Sequence, residues 1–84
     1  HDLERAWRWR DERGLLAESS ALRVFHGPGE GSGALAGLAI DRFGEHFWIT
    51  IWEGHSERAE GALPLVADFL RAHGARSAVH LPRP

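Results

Sequence analysis

Just after the apolar run of residues 21–25, the chain places Gly27, Gly29, Gly31 and Gly33 at every second position. An apolar strand that opens into glycines is how many nucleotide and S-adenosylmethionine sites begin, because bare backbone amides can then close on a phosphate or carboxylate. That chemistry also needs a helix whose N-terminal amides face the ligand, and an acidic residue at the end of the next strand. Here the residues after the glycines, LAGLAIDRF (35–43), read as a strand. No G-x-G-x-x-G register exists in 27–37, and the chain has no lysine to complete a P-loop. We therefore read 27–34 as a flexible connection between strands, with little in it to act as an anchor, and expect it to be mobile.

Six histidines raise the question of a metal, but they show no i, i+4 helical pair and no H-E-x-x-H. Ser20 and Ser56 lie outside any G-x-S-x-G elbow, so neither reads as a nucleophile. Asp41 and Arg42, adjacent at a strand end, read as a local ion pair or turn cap. No catalytic, cofactor-binding or metal-binding residue is expected from these patterns. The absence of cysteine excludes a disulfide framework and a thiolate zinc site.

All ten basic residues are arginine and the net charge is −2. A stand-alone nucleic-acid binder needs a basic face, and only Arg5, Arg8, Arg10 and Arg13, around Trp7 and Trp9, approach one. Asp2, Glu4, Asp11 and Glu12 dilute it. No apolar run nears the roughly 20 residues of a membrane span, and nothing resembles a signal peptide, so a cytoplasmic, membrane-free protein is expected. With 84 residues and no methionine, the chain is expected to be one small domain, 1–84, belonging to a longer multidomain protein.

The elements that would position these residues follow from periodicity. Residues 2–16 carry Leu3, Ala6, Trp7 and Arg10 at helical spacing, with Gly14 as a stop. Strands are expected at 21–25, 35–43, 47–53 and 77–81, with a turn at 43–46. In 47–53, Phe47, Ile49 and Ile51 share one face and Trp48 and Trp52 the other, so the strand should be central or covered on both sides. Ser56 is the expected cap of a helix over 56–73 through Ala59, Leu63, Val66, Phe69 and Leu70, with Pro64 either kinking it or marking its true first turn. The fold class is α+β: a small mixed or antiparallel sheet of about four strands, an N-terminal helix, and one helix packed on the sheet.

The run ALRVFHGPGEG followed by LAGLAIDRFGEHFWITIWE resembles the central region of the bacterial S-adenosylmethionine-dependent ribosomal RNA cytosine-C5 methyltransferases. Ala21, Arg23, Val24, Gly27, Gly31, Gly37, Leu38, Asp41, Arg42 and Gly44 fall on that family's pattern, with Phe43 in place of its tyrosine. The resemblance implies an accessory region between an RNA-binding PUA domain and a Rossmann-like catalytic domain that holds the nucleophilic cysteine and the S-adenosylmethionine. The expected role is to position RNA and the adjacent catalytic methyltransferase domain, with Arg5, Arg8, Arg10, Arg23 and Arg42 as RNA or interdomain contacts. The competing expectation is a small protein-interaction or dimerisation module, forming a homodimer through its exposed tryptophans.

Overall fold

The first helix, α1, spans Asp2–Glu12 and buries Leu3, Ala6 and Arg10 on one side. It ends just before Gly14, the expected stop. Gly14 adopts φ 74°, a left-handed conformation that ends a helix without a Cβ penalty, and Leu15–Glu18 form a separate turn, α2. The computed structural model describes residues 1–52, 54 and 56–82; the side chains of Ser56, Leu81 and Pro82 lie outside that description, so the expected Ser56 cap does too, as do Glu53, His55 and Pro84.

Strands β1 (Ala21–His26), β2 (Leu38–Phe43) and β3 (His46–Ile51) form an antiparallel meander, and β4 (Ser77–Pro82) joins β3 in parallel. The sheet is thus mixed, in the order β1-β2-β3-β4. The β2–β3 turn places Gly44 at φ 63° while Glu45 keeps a negative φ, the sign pattern of a type II′ hairpin. The Gly44 amide donates to Ser20 O at 2.7 Å, tying the hairpin tip to the residue before β1.

A parallel neighbour needs a crossover, and two helices supply it: α4 (Ser56–Gly61) and α5 (Leu63–Ala72). Pro64 sits in the first turn of α5, where its missing N–H would have had no partner anyway. It therefore marks a true helix start, and the single helix expected over 56–73 is two.

Alternation decides the core. Phe47, Ile49 and Ile51 point inward from β3 and cluster with Phe25, Leu38 and Ile40 of the sheet, with Leu3 and Ala6 of α1, Ala59 of α4, and Val66, Phe69 and Leu70 of α5. Every helix that contributes to this core lies on one side of the sheet. Of the two expected alternatives for β3, central or covered on both sides, the first holds: β3 lies between β2 and β4, while Trp48 is 48% exposed on its outer face. Ile49, 3% exposed, should lose about 1 kcal/mol on trimming to valine, the usual cost of one buried methyl group. Chemical denaturation checks this, and an unchanged midpoint would place Ile49 outside the core.

The glycine segment is not the bare connection its composition suggests. Gly27–Glu30 make one helical turn, α3, and Gly33–Gly37 a 3-10 turn, so β2 starts at Leu38 and not at Leu35. Leu35 enters the core at 8% exposure.

Candidate functional site

Arg10 occupies a position in the apolar stripe of α1, which forces its guanidinium inward. There it forms a fork with Glu30 of α3, NH1 and NH2 each donating to one carboxylate oxygen at 2.8 Å. Its Nε donates to Arg23 O at 2.7 Å and NH1 also to Ala6 O at 3.0 Å. Glu30 Oε1 in turn accepts the His26 amide at 2.9 Å. Arg10 is 8% exposed, and a buried charge is tolerated only when its hydrogen-bonding capacity is met in this way. The Glu30 carboxyl is held below its ordinary value, first by the Arg10 hydrogen bonds, against a smaller opposing effect of burial.

A second fastening lies about two turns earlier on α1. The Ser32 amide and hydroxyl both donate to Asp2 Oδ2 at 2.9 Å, and the Ser32 hydroxyl is the main reason the Asp2 carboxyl is lowered. Arg5 pairs with the other oxygen of Asp2. The expected absence of an anchor in 27–34 is therefore corrected: two polar clasps replace the apolar one.

The glycines themselves are required by close approach. A Cβ on Gly27 would collide with the carbonyl oxygens of Leu35 and Leu38, and one on Gly31 would lie 2.8 Å from Leu35 O and 2.9 Å from Phe25 Cζ. At Gly29 the nearest neighbour would be 3.6 Å away, an ordinary contact.

Asp41 and Arg42 do not pair with each other, contrary to expectation, because adjacent strand residues point to opposite faces. Asp41 takes a fork from Arg23 across the β1–β2 ladder, at 2.9 and 3.2 Å. Arg42 turns toward α2 and donates to Leu16 O at 2.6 Å and Ser19 O at 2.5 Å. Its buried Nε has no hydrogen-bond partner among the described residues.

The five arginines expected to form one contact set thus occupy different places. Arg10 and Arg42 satisfy internal carbonyls and Glu30, Arg23 bridges two strands, and Arg5 lies exposed beside Asp2. Arg8 is exposed and has no hydrogen-bond or ion-pair partner among the described residues. Sequence reasoning missed Glu30 and assigned Arg10 to an outward contact. Glu30 is the only charged side chain within the glycine run, and Arg10 interrupts an apolar stripe; together those signals point to a buried pair. Arg13, not among the five, lies over the Trp9 ring at 4.0 Å from its centroid and donates to Trp9 O. Trp9 is 49% exposed, whereas Trp7 packs edge-on to Phe69 and lies tilted against His73. Arg5 and Trp9 also line a cleft of about 360 Å3 with Asp2, Ala6, Arg10 and Glu30.

The residues on which the methyltransferase resemblance rests serve the scaffold. Gly27 and Gly31 permit close backbone approach, Gly44 the hairpin turn, Arg23 and Asp41 the cross-strand pair, Arg42 the α2 contact, and Val24 and Leu38 the core. No model of a known protein family, no curated protein and no solved structure matches the chain. Among the described residues no helix is long and apolar enough to cross a membrane.

Proposed function

We propose that this chain is a non-catalytic accessory domain of a cytoplasmic S-adenosylmethionine-dependent RNA methyltransferase, which places RNA and the adjacent catalytic domain relative to each other. What supports the reading is the coincidence just described: the residues that carry the resemblance are those that close the hairpins and the glycine segment. A shared motif of that kind marks a shared scaffold. The methyl donor belongs to the neighbouring domain in this reading, and RNA meets the exposed side of α1, where Arg8 stands free and Arg5, Trp9 and Arg13 flank it. Exposed tryptophan and guanidinium planes are the groups on which unpaired bases stack.

Titration of a labelled single-stranded RNA against the chain tests this. Contact with about two phosphates should weaken binding roughly sevenfold between 50 and 200 mM salt, at ~0.7 of a logarithmic unit per phosphate. Arg8→Glu should weaken it further without lowering the melting temperature, and calorimetry with S-adenosylmethionine should show no saturable heat. Absence of RNA binding at low salt, or a tight complex with the methyl donor, removes this reading.

A further inference from the structure

We infer that the cleft between α1 and the end of α5 receives one unstacked guanine of a bound RNA strand, read by the Asp11 carboxylate. This rests on the RNA reading above and names the base that it selects. The cleft, of about 400 Å3, is lined by Glu4, Trp7, Arg8 and Asp11 of α1 and by His73 just after α5. That volume lies in the range of small-ligand sites. Glu4, Arg8 and Asp11 stand at i, i+4 and i+7, so they share one face of the helix, with Trp7 beside them.

The floor is aromatic and held in place. His73 Nδ1 lies 2.8 Å from Phe69 O; a carbonyl only accepts, so this nitrogen carries the hydrogen and the ring is pinned. The His73 ring centroid is 4.6 Å from that of Trp7 and 4.1 Å from that of Phe69. Trp7 in turn packs against Phe47 and Phe69. Histidine and tryptophan rings are surfaces on which unpaired bases stack, and rings already fixed by their neighbours lose little freedom in doing so.

The rim supplies the choice. Arg8 and Asp11 have no side-chain hydrogen bond or ion pair among the described residues, and the Glu4 carboxylate meets the terminal amine of His1 at 3.9 Å. Two carboxylates thus flank one guanidinium that neither of them neutralises. A phosphate inside the cleft would face both carboxylates, and a cationic side chain would face Arg8, so the group that fits is neutral and rich in N–H donors. Among the RNA bases only guanine sets two donors, N1–H and N2–H, side by side on its Watson–Crick edge; the others set an acceptor beside the donor. A carboxylate only accepts, so it takes guanine through two hydrogen bonds and turns its lone pairs against an acceptor of any other base. Asp11 has this role because its carboxylate is unpaired, while Arg8 at the mouth is left for the adjacent phosphate.

Titration of the chain with four labelled oligouridines that differ only at one internal position tests this. The oligomer with guanosine there should bind about tenfold more tightly than those with adenosine, cytidine or uridine. Inosine, which lacks the N2 amine, should lose most of that advantage. Asp11→Asn should bring the four within about twofold of one another, because the amide replaces one acceptor by a donor; its melting temperature should be that of the wild type, since Asp11 is exposed. Arg8→Glu should weaken all four by a common factor, as a phosphate contact does. Equal binding of the four oligomers by the wild type overturns the inference and leaves the RNA reading standing, whereas no binding of any of them removes both. A guanine preference that survives Asp11→Asn puts the reading group elsewhere and overturns it too.

Discussion

Gly27→Ala is expected to unfold or nearly unfold the domain, at a loss of about 3 kcal/mol or more, whereas Gly29→Ala, two residues away, should be neutral or stabilising by up to about 1 kcal/mol. Both add one methyl group to the same turn, so the difference isolates packing from helix propensity. At Gly27 the new Cβ meets the Leu35 and Leu38 carbonyls, which belong to the 3-10 turn and the start of β2 and cannot rotate away as a side chain would. At Gly29 it meets only the edge of the His26 ring at 3.6 Å, and replacing glycine there reduces the freedom of the unfolded chain. Denaturant titration of the two variants measures the contrast; equal stabilities would mean that the segment does not hold the close approach described. A domain of this size has a total stability of only about 4–12 kcal/mol, so the Gly27 effect is a large part of it.

The second large effect concerns Arg10. Arg10→Met is expected to destabilise the chain by about 3 kcal/mol, because it strands Glu30 without its counter-ion and leaves Arg23 O and Ala6 O without their donor. The figure sits at the lower end for buried pairs because the Glu30 side chain is 28% exposed and water can reach it. Glu30→Gln, which keeps the shape but not the charge, should lose about 1–2 kcal/mol. Removing both charges in one variant should be less harmful than Arg10→Met alone, since neither ion is then left buried. A double variant as unstable as the sum of the two single ones would deny the coupling.

The same pair fixes the response to acid. Glu30 titrates below its ordinary value of 4.5 in the folded chain, so its stabilisation is complete above that pH and disappears as the pH falls through the lowered folded value. Asp2, lowered from 3.8, acts in the same direction in an overlapping window. Wild-type stability should therefore fall as the pH drops below about 4.5, and Glu30→Gln should flatten that fall. Melting temperatures recorded between neutral pH and pH 3 would show it.

The framework of the fold was legible because its signals are local. The alternation of 47–51 separates two faces, and Gly14 and Gly44 mark a helix stop and a turn, while Pro64 leaves a kink and a helix start equally open. What the sequence did not disclose depends on residues far apart in the chain. Glycines in 27–34 read as freedom until the Leu35 and Leu38 carbonyls are placed beside them, and nothing local ties Glu30 to Arg10, twenty residues away. The arginines were misgrouped for the same reason. Proximity in sequence and a common charge put Arg8 and Arg10 together, yet their positions on α1 send one outward and the other into the core. Trp48 escaped because alternation identifies two faces of a strand but not whether a second layer exists to cover the outer one.

The parallel seam between β3 and β4 gives the domain an order of assembly. Phe43 and His46 close the β2–β3 hairpin across a two-residue turn, while the first β3–β4 pair, His46 with Ser77, can meet only after the whole α4–α5 crossover has been laid down. Closing a long loop is entropically slow before its contacts repay it. The meander is thus the body that forms first and β4 the clasp that shuts last, and an edge strand held by one neighbour is also the first to let go when the chain is pulled or a competing strand approaches.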